Sequence, residues 1–326
     1  MPSFSHETGL WIVFAVIVSS MLALDLGVLH RRAHAVGLRE AAAWTAVWVG
    51  LALGFAAGIW IWESGERGLL FTTGYVIEES LSIDNIFVFV LVFASFRVPP
   101  PYQHRVLFWG VLGAVLMRAA FVAAGIALLN ALSWVVYVFG AFLLLTSLRM
   151  LRPEKEDVEL ERHVVIRALR NLFPVSSEYH GQRFTFVEGG IRFATPLLLT
   201  LVMIEVSDLI FAVDSVPAVL AVSRDPFIVY TSNIFAIMGL RSLYFLIAHA
   251  VQRLRYLRFG LAAILAFVGV KMLLNGVWHP PAVLSLGAIL TVLAVTAAVS
   301  LAATAHESRG RGATVAVPPA DPGPSG

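Results

Sequence analysis

The chain contains no cysteine, which excludes disulfides, thiolate metal sites and cysteine nucleophiles. Charge is scarce too. Only 13% of the 326 residues are charged, against about 25% in an ordinary soluble domain. The net charge is +2 and the basic residues are scattered, which argues against nucleic-acid binding. No G-x-x-x-x-G-K-[ST], H-E-x-x-H or G-x-S-x-G motif occurs, so neither ATP hydrolysis nor intramembrane proteolysis is expected, and the chain does not read as an enzyme. The opening "MPSFSHETG" lacks the positive n-region of a signal peptide, so the first apolar run reads as a retained membrane helix.

What the chain has is hydrophobicity, 59% of its residues, gathered into long runs. They fall at roughly 10–29, 41–62, 71–96, 106–129, 132–151, 194–222, 227–251, 256–277 and 282–305. Each is long enough to cross a hydrocarbon core of about 30 Å at about 1.5 Å per residue. The expected fold is an all-α polytopic membrane protein of about nine transmembrane helices. A transmembrane domain covers 1–306, and a disordered cytoplasmic tail rich in Gly, Pro and Ser covers 307–326. Odd-numbered loops carry the Arg and Lys, which places the N-terminus outside and the C-terminus in the cytoplasm. The one sizeable soluble part is 152–193. There "VELERHVVIRALRNLF" has an amphipathic helical pattern, and "RFTFVEGGIRF" reads as a hairpin around Glu188, Gly189 and Gly190.

Span three, "YVIEESLSIDNIFVFVLVF", carries Glu78, Glu79, Asp84 and Asn85 inside an apolar run. Span six, "MIEVSDLIFAVDSVPAVLAV", repeats the pattern: Glu78 and Asp84-Asn85 correspond to Asp208 and Asp214-Ser215, both 130 residues later. "LMRAAF" and "LRSLYF" then pair Arg118 with Arg241. The repeat unit is three spans, 3–5 and 6–8. Three is odd, so the second copy enters from the opposite side, as in many transporters.

The acids are costly in lipid. Fourteen Val, Ile, Leu and Phe residues in span three supply roughly −4 to −8 kcal/mol on the insertion scale. Three central acids cost about +2.5 to +3.5 kcal/mol each, so this helix must face protein, water or an ion. Seven acids sit at membrane depth (Asp25, Glu78, Glu79, Asp84, Glu205, Asp208 and Asp214) against three bases (Arg118, Arg241 and Lys271). Seven minus three leaves four negative charges for protons or cations to neutralise. Every candidate ligand there is an oxygen donor, which suits Mn2+, Ca2+ or Mg2+ and disfavours Cu+ or Zn2+.

The candidate metal ligands are Glu78, Asp84, Asn85, Glu205, Asp208 and Asp214, with Arg118, Arg241 and Lys271 as counter-charges or gating groups. Glu79 faces a different neighbour, and Asp25 is a candidate access-path residue near the inner end of span one. On straight helices Glu78, Ser82 and Asn85 share a face, as do Glu205, Asp208 and Ser215. Asp214 points away unless Pro217 unwinds the helix near 213–217; the alternative is a simple kink with Asp214 bonded to a neighbour.

The segments "EESLSIDNIFVF", "IEVSDLIFAVDSVPAV", "MGLRSLYFL" and "VGVKMLL" resemble, in order and spacing, the signature segments of TerC-family integral membrane proteins. That resemblance implies a bacterial inner-membrane protein linked to tellurite resistance and manganese homeostasis, chiefly Mn2+ efflux. It places the family's intramembrane acids at Glu78, Asp84, Glu205, Asp208 and Asp214. The expected function is a proton-coupled secondary transporter exporting a divalent metal, with membrane lipid and the metal ion as its partners and no cofactor beyond the Mn2+ it carries. The alternative is a non-transporting scaffold in a metal- or tellurite-stress or secretion complex.

Overall fold

The computed structural model describes residues 3–24, 37–132, 134–151, 174–176, 178–248, 256–274, 277 and 280–313, without the side chains of 3–7, 24, 84, 257, 301 and 304–313. Nine helices lie among the described residues: α1 (Ser3–Leu24), α2 (Leu38–Trp62), α3 (Gly65–Ser95), α4 (Pro100–Ala131), α5 (Val135–Met150), α6 (Pro196–Leu220), α7 (Pro226–Ala248), α8 (Leu257–Leu273) and α9 (Ala282–Ala313). They fall on the nine apolar runs. Five of them, α2, α4, α6, α7 and the 282–300 part of α9, are long and apolar enough to cross a membrane. The 31-residue α3 is long enough, but its acids lower its apolar character.

The starts of the helices follow local chemistry. Ser64 caps α3 by accepting the Arg67 amide at 3.2 Å. Proline opens α4 and α6, where its missing N–H costs nothing. The Asp225 carboxylate accepts the Phe227 amide at 2.9 Å and so starts α7. The expected hairpin is present as β1 (Thr185–Glu188) and β2 (Ile191–Ala194), antiparallel, with Glu188 opposite Ile191. Gly189 and Gly190 both have positive φ, 58° and 81°, as a two-residue I′ turn demands. Tyr179 anchors this region to the bundle by donating to the Phe96 carbonyl at 2.8 Å, and burial pushes its hydroxyl up to about 12. The amphipathic stretch 158–173 and Asp25 lie outside the described residues. The last helix continues past 306 to Ala313, so the start of the expected tail is helical, and 314–326 lie outside the described residues.

Helix directions can be read from the contacts. Asn85 of α3 meets Asp208 of α6, while Gly74 lies beside Val219, so these helices are antiparallel. Gln103 and His104, early in α4, meet Tyr244 and Phe245, late in α7. Gly140 of α5 sits against Gly269, Met272 and Leu273, and Leu144 against Gly269, so α5 and α8 are antiparallel too. Each helix of the first trio runs opposite to its counterpart in the second, which is the relation an inverted repeat produces. The largest interfaces obey the same exchange: α3 packs on α7, α6 on α4, and α5 on α8.

The bundle has a distinct inside. In α7, 89% of the most apolar stretch is buried, against 17% in α9. α7 is therefore wrapped by protein, chiefly α2, α3 and α4, and α9 presents most of its surface outward. Aromatic contacts between α1, α2, α3 and α7, such as Phe55 on Phe235 at 5.0 Å, fill one end of the interior. Both α3 and α6 are continuous. The unwinding weighed at 213–217 does not occur, because Pro217 falls in the last turn of α6, where the helix ends with Ala221 donating to its carbonyl.

Candidate functional site

The two repeat-related acids meet around one arginine. Arg118, on α4, is 2% exposed, and Glu78, on α3, is fully buried. The Arg118 guanidinium pairs with Glu78 through Nη1. Nη2 donates to Asp208 Oδ1 at 3.2 Å, and Nε to Asp208 Oδ2 at 3.5 Å. Nη1 also donates to Ser215 Oγ at 2.8 Å, and Asn85 Nδ2 donates to Asp208 Oδ1 at 3.3 Å. Glu78, Asn85, Asp208 and Ser215 thus converge from α3 and α6 on a guanidinium supplied by α4. Two carboxylates and one guanidinium leave one uncompensated negative charge, and charge this deep is costly unless paired.

The helix periodicity explains the convergence. Residues 78, 82 and 85 lie on one face of α3, and 208 and 215 on one face of α6. That face carries two oxygens in waiting: Glu78 Oε2 and Ser82 Oγ are buried without a hydrogen-bond partner among the described residues. Ser207 on α6 behaves differently and folds back to the Met203 carbonyl at 2.7 Å.

The other predicted residues sit apart. Asp214 is half-buried and accepts from Thr146 of α5 at 3.1 Å, the simple bonded arrangement weighed in the sequence. It lines a cavity of about 260 Å3 together with Asn85, Arg118, Thr146, Arg149 and Arg258. Glu205 is half-buried and lies directly against Gly113 of α4. Glu79 points toward Gly239 of α7, a different neighbour as expected. The Asp84 backbone continues α3, but its side chain lies outside the described residues. Lys271 donates to Ser285 at 3.4 Å and lines a separate cavity of about 500 Å3 with Glu66 and Arg224. Arg241 is buried beside Glu40, Trp44 and His104 in a third, much smaller cavity. Among the described residues no three acidic or histidine side chains form a ready-made metal cluster.

Two contributors escaped the sequence reading. Thr146, the partner of Asp214, carries no signal beyond being a hydroxyl in an apolar helix. Gly113 does carry one: Gly110 and Gly113, three residues apart, lie on one face of the helix and leave it without side chains there. Gly110 faces Ile204 and Gly113 faces Glu205.

With this geometry in view, the comparison with known proteins is direct. Residues 63–308 match the integral membrane protein TerC family. This chain belongs to the TerC family. Its relatives include an uncharacterized membrane protein of Myxococcus xanthus, 49% identical over 91% of this chain and 93% of the relative. A proposed membrane-bound redox modulator of Escherichia coli K12, Alx, is 44% identical over 88% of this chain and 92% of its own length. A membrane protein of Rickettsia bellii is 34% identical over 87% of this chain and 94% of its own length. No solved structure matches. The matched region includes every helix from α3 to α8, and with them the Glu78–Arg118–Asp208 crossing.

Proposed function

We propose that this TerC-family chain is a secondary transporter that exports a divalent cation, most readily Mn2+, with protons exchanging on the same carboxylates. The observation that carries the reading is the meeting of Glu78 and Asp208, from antiparallel helices, in the protein interior. Polar groups at the crossing of antiparallel, repeat-related helices are where secondary transporters bind their cargo. The donor set of carboxylates, Asn85 and serine hydroxyls suits a hard cation.

Protonating Glu78 or Asp208 removes a cation ligand and frees Arg118, whereas a bound cation expels those protons, so proton and metal alternate. Asp214 is a further carboxylate beside the crossing, on a cavity that Arg149 and Arg258 also line. Glu205 and Asp84 are further carboxylates on the same two helices. The Alx relatives are described as redox modulators. With no cysteine here, a redox effect would come from changing the cell's content of a redox-active metal such as manganese.

Purified chain in proteoliposomes, with an imposed pH gradient and a panel of divalent ions, tests the reading. Mn2+ flux that responds to the gradient and disappears in Asp208→Asn and Glu78→Gln is expected. A chain that moves no divalent ion sinks the proposal and favours the scaffold reading, in which function depends on segment 152–193.

A further inference from the structure

We propose that Arg118 is a tethered competitor for the cargo, occupying the cation site when it is empty and restricting it to divalent ions. The inference rests on the transport reading and assigns the basis of its selectivity.

Charge and geometry carry it together. The guanidinium already takes the place a cation would take between Glu78 and Asp208, with bonds of 2.8 to 3.5 Å to Ser215 and Asp208. With Arg118 in place, −2 from the carboxylates and +1 from the guanidinium give −1. A monovalent ion replacing it also gives −1, so Na+ or K+ gains no charge compensation. It would also have to displace an intramolecular group with directional, charge-assisted bonds. A divalent ion gives −2 and +2, a neutral site in a low-dielectric interior, where that difference is large. Only the divalent ion has an electrostatic reason to displace Arg118.

Two further observations fit an exchange. The buried Glu78 Oε2 and Ser82 Oγ lack hydrogen-bond partners among the described residues, so ligand oxygens stay unused while Arg118 is resident. The displaced guanidinium also has somewhere to go. The cavity of about 260 Å3 touches Arg118 and is lined by Thr146 and by Asp214 beside Arg149 and Arg258, so the arginine has protein-enclosed polar space to enter without leaving for lipid.

The test is Mn2+ binding to the purified full chain in detergent, followed by the Mn2+ paramagnetic signal, with NaCl compared against choline chloride at equal ionic strength. The wild type should bind Mn2+ equally in both salts. Arg118→Gln should bind Mn2+ about tenfold tighter or more, from the loss of a charge-assisted competitor, and should become sensitive to Na+. Arg118→Lys keeps the tethered charge and should stay indifferent to Na+. Arg118→Lys also loses the fork of bonds that the guanidinium makes to Asp208 and Ser215, so it should bind Mn2+ about two- to fivefold tighter than wild type. Arg118→Gln binding Mn2+ no tighter than wild type, or indifferent to Na+, overturns the proposal. If that variant does not fold, Mn2+ binding by Arg118→Lys that is unchanged or weaker than wild type overturns it instead. Loss of binding in Asp208→Asn alongside unchanged binding in Arg118→Gln removes this inference and leaves transport standing. A wild-type chain that binds no Mn2+ removes both.

Discussion

Arg118 and Arg241 stand in matching segments of the two halves, yet the fold gives them different surroundings. Arg118 reaches both repeat-related acids, Glu78 and Asp208. Arg241 is buried on the far side, against α2, beside Glu40 and Trp44, with His104 of α4 as a further neighbour. The cause is the pair of helices that precede the repeat. α2 packs along α7 and also along α3, and α1 touches α7 as well, so of the two arginine-bearing helices it is α7 that lies against α2. Two arginines in matching sequence segments therefore end in different surroundings, and the helices packed around them decide which one enters the acid crossing.

The largest expected effect comes from breaking the Arg118 side of that contrast. Asp208→Ala removes the carboxylate that takes two of the guanidinium's bonds and leaves two buried Arg118 N–H donors without an acceptor. Losing one partner of such a pair costs about 3–5 kcal/mol. Glu40→Ala, on the Arg241 side, removes a half-buried carboxylate at the rim and should cost about 1 kcal/mol or less. Thermal unfolding of the two variants in detergent measures the contrast. Equal losses would mean that the two arginines stand in equivalent environments after all.

Much of this layout was legible in the sequence. The nine apolar runs match the helices among the described residues because a largely apolar run of about 20 residues or more has few alternatives once its backbone must satisfy its own hydrogen bonds. The 130-residue offset picked out Glu78 with Asp208, and both reach Arg118, whereas the same offset pairs Asp84 with Asp214, which lies apart against Thr146. The placement of Arg241 and Lys271 was not legible. Both are membrane-depth bases, but a charge count carries no direction, and their neighbours come from α2 and α9, outside the repeat. The fate of Asp214 turned on where α6 ends: Pro217 lies too near the terminus to unwind the helix, so Asp214 stays turned toward Thr146 on α5.

The two halves also meet through glycines, where the expected effects are smaller. Gly140 of α5 and Gly269 of α8 face each other so closely that a Cβ on either would lie 2.9 Å from the other's carbonyl oxygen. Backbone cannot step aside as a side-chain tip can, so Gly269→Ala should force α5 and α8 apart at a cost of about 1–3 kcal/mol. A melting temperature equal to wild type would show that α5 and α8 separate at this crossing without cost.

The smallest pair isolates an acid in each half. A Cβ at Gly113 would fall on the Glu205 carboxylate, whereas one at Gly239 would lie 3.8 Å from Glu79, an ordinary contact. The Glu205 carboxylate is the end of a flexible chain, so Gly113→Ala should cost only about 0.5–1.5 kcal/mol, mostly from an off-rotamer glutamate. Gly239→Ala should be nearly silent. The informative readout is transport rather than stability. If Glu205 belongs to the ion's route, Gly113→Ala displaces it and reduces Mn2+ flux in proteoliposomes with little change in melting, while Gly239→Ala leaves both as they were. If flux through Gly113→Ala is normal although Glu205→Gln abolishes it, the carboxylate works from a position other than the one it holds beside Gly113. The polar route between α4 and α6 would then be wider than the crossing at Arg118 alone defines.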